Sequence, residues 1–196
     1  MQALSDVIPV ILAAGDSVRM GYPKALLPLE NDDTTGLGKP VVVLGRAASR
    51  IQNALDLRDA EVLVNEDPDR GQLSSVQLAL QSLRPDIVGA MIWPVDQPLI
   101  ANRLVEDLAR LFLSTGAPVA NPVCGSKRGH PVIFHREVFA ELMAASVDEG
   151  PKAIVNRYEQ DSADLLTDET GTIIDIDTPS DYENVCGKNL ESAIKG

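Results

Sequence analysis

Cysteine is scarce: the 196-residue chain holds two, Cys124 and Cys186, with no CxxC or Cys/His spacing. A zinc site organised by such pairs is excluded, and both thiols are expected to be reduced bystanders in the cytosol. Long apolar runs are missing too. No stretch approaches the roughly 20 apolar residues of a membrane helix, and Met1 to Leu12 has no basic leader before a long apolar run. A soluble, unexported, cytoplasmic protein is therefore expected, with no membrane partner. Positive charge is in deficit, with 17 Lys and Arg against 29 Asp and Glu and a net charge of −12. Such a field repels nucleic acid, which is excluded as an expected partner. Neither a Walker loop nor a GxGxxG turn occurs, and there is no repeat, low-complexity tract or linker.

What is present is ordinary for a globular protein: 44% hydrophobic and 23% charged residues. The length suits one sizeable core, so residues 1–196 read as a single domain. Val7 to Leu12, Val41 to Leu44, Glu61 to Val64 and Ile87 to Val95 read as strands, followed by Pro118 to Val123, Pro131 to Phe134 and a last strand Thr172 to Ile176. Helical spacing marks Ala47 to Leu55, Leu73 to Leu83, Leu104 to Phe112 and Val138 to Met143. Pro151 and the group Thr178, Pro179, Asp181 are helix starts. The alternation predicts an α/β fold, a mostly parallel sheet covered on both faces, with ligand sites at the carboxyl ends of strands.

The first such end is Leu12, Ala13, Ala14, Gly15, Asp16, Ser17, Val18, Arg19, Met20, Gly21, Tyr22, Pro23, Lys24. Small residues after a strand let backbone N–H groups approach phosphate oxygens, and two cations within six residues suit a triphosphate. On its own such a loop also fits an ordinary solvated turn. Asp96, after a strand apolar on both faces, places a hard oxygen donor at the same edge, where it suits Mg²⁺ or a simple cap.

The run LAAGxSxRMGxPKxLLPL, carried by Leu12 to Leu29, resembles the signature of the molybdopterin cytidylyltransferase branch of the nucleotidyltransferases. Three later segments agree in order: Pro94 to Pro98, Arg128 to Val132, and Asp175 to Tyr182. The resemblance implies a three-layer, Rossmann-like nucleotide-diphospho-sugar transferase fold, with CTP and molybdopterin as substrates, and Mg²⁺, with Mn²⁺ as a substitute. It implies that Leu12, Ala13, Ala14, Gly15, Ser17, Arg19, Lys24, Gln72, Ser75 and Pro94 bind the nucleotide. Arg19, Lys24 and Asp96 would be catalytic, and Asp96 and Asp177 would hold the metal. Asp175 is the understudy, and alternation along a strand sends it and Asp177 to opposite faces. Lys127, Arg128, Gly129 and His130 would receive the acceptor phosphate, with His130 as a candidate base and equally a turn residue. Ala13 and Ala14 favour CTP, since guanylyl relatives carry Ala-Gly or Gly-Gly there. A molybdenum hydroxylase would receive the product.

One departure stands out. Family members place a helix between the LPL segment and the next strand, yet here residues 30–40 alone intervene, barely the roughly 10–12 residues a crossover needs. The acidic run Glu30 to Asp33 reads as a solvated loop. Two alternatives stay open: a relative using GTP or another phosphorylated acceptor, and a non-catalytic module that binds and delivers the cofactor.

Overall fold

The computed structural model of the chain describes residues 2–27, 36–146 and 150–195. Four short apolar runs form a parallel half-sheet: β1 (Val7–Ala13) pairs with β2 (Val41–Leu44) and β4 (Gly89–Pro94), and β2 pairs with β3 (Glu61–Val64). β1 and β4 are apolar throughout because both of their faces are covered, as expected for central parallel strands. The sheet continues through β5 (Val119–Cys124), β6 (Lys127–Arg128), β7 (Val132–His135) and β8 (Ala163–Thr167), giving eight strands in the order β3-β2-β1-β4-β7-β5-β6, with β8 also on β5. β7 is antiparallel to both β4 and β5, while β8 is parallel to β5.

Seven helices are described: α1 (Ala48–Ala54), α2 (Gln72–Ser82), α3 (Asn102–Thr115), α4 (Phe139–Ala144), α5 (Gly150–Arg157), α6 (Pro179–Cys186) and α7 (Leu190–Lys195). Alternation along the strands sorts the core into two layers. Val10, Leu12, Ala90 and Ile92 pack with Val76 and Ala79 of α2, Leu142 of α4 and Ile154 of α5. Val7, Met91 and Ile133 turn the other way, onto Leu104, Val105, Leu108 and Phe112 of α3. Each of the larger side chains among these contributes about 1.5–3 kcal/mol on burial, so these two layers, not the site, hold the frame rigid. Helices on both faces of a mostly parallel sheet make the expected three-layer α/β arrangement. Among the described residues no helix is long and apolar enough to cross a membrane.

The structure corrects the expectation that Thr172 to Ile176 forms the last strand. Residues Thr170–Ile173 make a 3-10 turn, and the chain then runs extended to Thr178 without entering a ladder. It makes isolated bonds instead: His130 N–H donates to the Thr172 carbonyl at 2.9 Å, and Ile176 N–H to the Asp96 carbonyl at 2.7 Å. The true last strand, β8, escapes a pattern reading because Leu166 points outward, 78% exposed, and breaks the polar–apolar alternation. The acidic run and the question of a crossover helix before Val41 fall largely on residues 28–35, outside the described residues.

Candidate active site

Two strand ends and one helix start bring the chemistry together. β1 runs out into the small-residue loop, which is pinned where it turns. Ser17 adopts φ 51° and its carbonyl accepts from Met20 N–H and Gly21 N–H at 3.1 and 3.0 Å. Met20 is buried against Ile176, Tyr182 and Leu190, so the loop is anchored on α6 and α7. The Ser17 hydroxyl also accepts from Lys24 N–H at 3.2 Å, fixing the backbone from which the lysine side chain projects. A Cβ at Gly45, which follows β2, would sit 2.1 Å from the Ala14 carbonyl oxygen, so glycine there lets the Ala14 backbone lie flat on the end of β2.

Asp96 follows β4, and its carbonyl accepts the Ile176 N–H just described. That single bond brings Asp177 alongside Asp96. The cap of α6 completes the job: Asp181 Oδ2 accepts from Asp177 N–H at 3.1 Å and Thr178 N–H at 2.8 Å, while Thr178 Oγ1 accepts from Asp181 N–H at 3.2 Å. The Thr178 hydroxyl also donates to Asp181 Oδ2 at 2.8 Å, and this bond, with those from the Thr178 and Asp177 N–H groups, holds the Asp181 carboxyl below the usual carboxylate range. Asp177 is therefore placed by a helix cap and a cross-loop bond, not by a strand end. Asp175 is separated from it, its Oδ1 accepting from Gln97 Nε2 at 2.5 Å.

The carboxylates meet at Lys24. Its Nζ donates to Asp96 Oδ2 at 3.2 Å and to Asp177 Oδ1, while Arg19 Nη2 lies 2.8 Å from Asp177 Oδ2. The hydrogen bond from Lys24 is the main reason the Asp177 carboxyl sits below its ordinary range, with Arg19 adding to it and burial opposing. All of this borders a cleft of about 350 Å³. Leu12, Ala13, Ala14, Gly15 and Ser17 line it, with Gln72 and Ser75 of α2 and with Pro94 and Asp96 at the end of β4. Two carboxylates offer the hard oxygens Mg²⁺ takes, usually one or two per ion with phosphate oxygens and water completing the shell. No group of three or more metal-binding side chains gathers among the described residues.

Comparison with known proteins agrees with this architecture. The family model of the MobA-like NTP transferase domain matches residues 9–162. The chain belongs to that family. It is 34% identical over 143 residues to a probable molybdenum cofactor guanylyltransferase of Mycobacterium tuberculosis, covering 68% of this chain and 71% of that one. Across 88% of the chain it is 26% identical to the corresponding protein of Mycobacterium avium, covering 91% of its length. Among solved structures it resembles Rv0371c from Mycobacterium tuberculosis H37Rv, with a TM-score of 0.79 and 30% identity over 96% of this chain and 100% of that one. A manganese complex of the same protein matches with a TM-score of 0.75 at 28% identity, over 93% of this chain and 98% of that one.

The residues expected at the acceptor side of this transferase fold behave differently. None of Lys127, Arg128, Gly129 and His130 borders the cleft. Arg128 binds Glu159 Oε1 at 2.6 Å and Asp164 Oδ2 at 2.8 Å, so part of its guanidinium is already engaged within the chain. Lys127 is exposed on β6. Gly129 lies tight against the 3-10 turn: a Cβ there would come within 2.2 Å of the Thr172 carbonyl oxygen. His130 is nearer the chemistry. Burial holds its imidazole below the usual histidine range, while Asp175 and Asp96 pull the other way.

Sequence reading missed Asn65, buried at the end of β3, whose Nδ2 donates to Ser74 Oγ at 2.8 Å and to the cleft residue Ser75 Oγ at 2.9 Å. Its signal, a polar residue directly after a strand, is the one that singled out Asp96. Arg46 was missed as well. It ties Asp16 of the loop to Asp69, before α2, with Nη2 2.5 Å from Asp69 Oδ2.

Proposed function

We propose that this chain is a molybdenum cofactor nucleotidyltransferase that transfers CMP from CTP to the terminal phosphate of molybdopterin and releases pyrophosphate. The observation that carries this reading is the meeting of Lys24, Arg19, Asp96 and Asp177 above the Gly15 loop in one cleft. Mg²⁺, or Mn²⁺ in its place, would be held by Asp96 and Asp177 and would neutralise charge on the phosphate oxygens.

The chain's own residues have separable tasks. The Ala14 to Ser17 backbone offers N–H groups to the triphosphate. Lys24 and Arg19 move from the carboxylates onto phosphate oxygens and offset the charge that grows on the departing pyrophosphate. Gln72 and Ser75 face the nucleoside, with Asn65 fixing the Ser75 hydroxyl. An oxygen of the acceptor phosphate attacks the α-phosphorus, and the bond from that phosphorus to the bridging oxygen breaks, its electron pair leaving with pyrophosphate. Because the acceptor phosphate is ionised near pH 7, alignment matters more than a base. His130 then serves to shape the acceptor side. The product would pass to a molybdenum hydroxylase, in the cytoplasm.

Ala13 and Ala14 support CTP. A second reading, GTP, is favoured by the mycobacterial relatives, which are called guanylyltransferases. Pyrophosphate release by the purified chain with molybdopterin and Mg²⁺ separates these, with a higher kcat/KM expected for CTP. Ala14→Gly should shift the ratio toward GTP. Turnover with GTP alone would overturn the choice of base, and tight cofactor binding with no pyrophosphate from either would point to delivery.

A further inference from the structure

We infer that Lys24, aided by Arg19, is a resident counter-ion that keeps a divalent cation off the Asp96 and Asp177 carboxylates until a nucleoside triphosphate arrives. The inference rests on reading the cleft as a metal-assisted transferase site. Both oxygens of Asp177 are engaged by cations, Oδ1 by Lys24 and Oδ2 by Arg19, and Lys24 also holds Asp96 Oδ2. Two carboxylates facing two cations are already balanced, so a divalent ion entering alone meets like charge at contact distance. The two cations are not equivalent. Arg19 is 70% exposed and can swing into solvent, whereas Lys24 is 10% exposed and its backbone is held by Ser17. Moving Lys24 aside without a new anionic partner would strand an ammonium group in a poorly solvated place.

A nucleoside triphosphate removes the obstacle. It carries more negative charge than one divalent ion cancels, so Lys24 and Arg19 gain phosphate oxygens as they release the carboxylates. Metal and nucleotide then favour each other's binding, and by linkage the coupling is the same in either order. Free divalent metal would load the site poorly, and the metal–nucleotide complex would be the species captured.

The test is a Mn²⁺ titration without nucleotide, following the free ion by electron paramagnetic resonance. It compares the wild-type chain, Lys24→Met and Lys24→Met with Asp177→Asn. Lys24→Met should bind Mn²⁺ tighter by about tenfold or more, and adding Asp177→Asn should abolish the gain. An affinity no higher than wild type, or a gain that survives loss of Asp177, overturns the proposal. Should Lys24→Met fail to fold, Lys24→Gln replaces it, with the same tightening of nucleotide-free Mn²⁺ binding by about tenfold or more expected. No tightening overturns the proposal. None of these titrations needs turnover, so a chain that releases no pyrophosphate would sink the transferase reading and leave the counter-ion result to be judged separately.

Discussion

Two charge clusters of similar make-up lie at this sheet, and they differ in what a ligand can do to them. In the first, Lys24 and Arg19 face Asp96 and Asp177 over an open cleft, and the partners come from loops far apart in the chain. In the second, Arg128 on β6 binds Glu159 and Asp164, Ser162 Oγ donates to Asp164 Oδ1 at 2.8 Å, and the buried Asn121 donates to the same oxygen at 3.1 Å. Burial works against ionisation of Asp164, yet the hydrogen bonds from Arg128 and Ser162 outweigh it and hold the carboxyl below its usual range. The lesson is one of exchangeability. Ion pairs over a cleft can be traded for phosphate and metal, whereas pairs that stitch β5, β6 and β8 together cannot be released without loosening the sheet edge.

The sharpest way to test this contrast is to break one member of each cluster. Asp96→Asn removes a charge from the cleft and no apolar packing, so pyrophosphate release should fall on the order of 10²–10³-fold while the thermal midpoint stays close to wild type. Retained turnover would take Asp96 out of the mechanism. Next in size is Asn65→Ala, which strips a buried donor from Ser74 and Ser75; a loss of about 1–3 kcal/mol and a raised nucleotide KM are expected by melting and by kinetics. If the KM does not move, Asn65 supports the fold and not the nucleoside. Arg128→Met should do the opposite of Asp96→Asn. With both ion pairs partly exposed, the cost is about 1 kcal/mol, or a midpoint lower by roughly 2–4 °C, and nucleotide KM should hold. A selective rise in acceptor KM with no change in melting would return Arg128 to acceptor binding.

Acid sharpens the same comparison. Asp164 and Asp177 both have folded values below the ordinary carboxylate range. Groups of this kind stabilise the fold above the unfolded carboxylate pKa, and that stability fades as pH falls through the folded values. Metal-free melts taken from neutral pH downward should therefore drop on the acid side, and Arg128→Met should shallow the drop by freeing Asp164. An unchanged acid limb in that variant would show that Arg128 does not hold the Asp164 proton off.

How much of this was legible follows from where the information sits. β1, β2 and β4 declare themselves because apolar runs covered on both faces leave little else to be, β3 shows itself by its β-branched edge residues, and the loop from Leu12 to Lys24 with Asp96 follows from the ends of β1 and β4. Asp177 reads from the sequence as the end of a strand, and the structure places it beside Lys24 by another route. Its place depends on the Ile176 to Asp96 bond and the Thr178 and Asp181 cap, and the cap was readable while the bond between distant segments was not. Arg128 shows the reverse limit, since a basic residue beside Gly-His-Pro gives no hint of its pairing with Glu159 and Asp164. β8 was lost to one outward leucine.

The smallest effect tests whether the outer wall of the cleft belongs with the exchangeable cluster or the structural one. Arg46 joins the Gly15 loop to the segment before α2, through Asp16 and Asp69. The Asp69 carboxyl lies below its usual range because of the hydrogen bond from Arg46, yet all three side chains are exposed. Exposed pairs are worth little, so Arg46→Ala should raise the nucleotide KM by roughly twofold to threefold with kcat unchanged. The effect should disappear in high salt, which screens the wild-type pair and leaves the variant indifferent. A loss in kcat that salt does not touch would instead place Arg46 on the substrate itself and enlarge the exchangeable cluster by one cation.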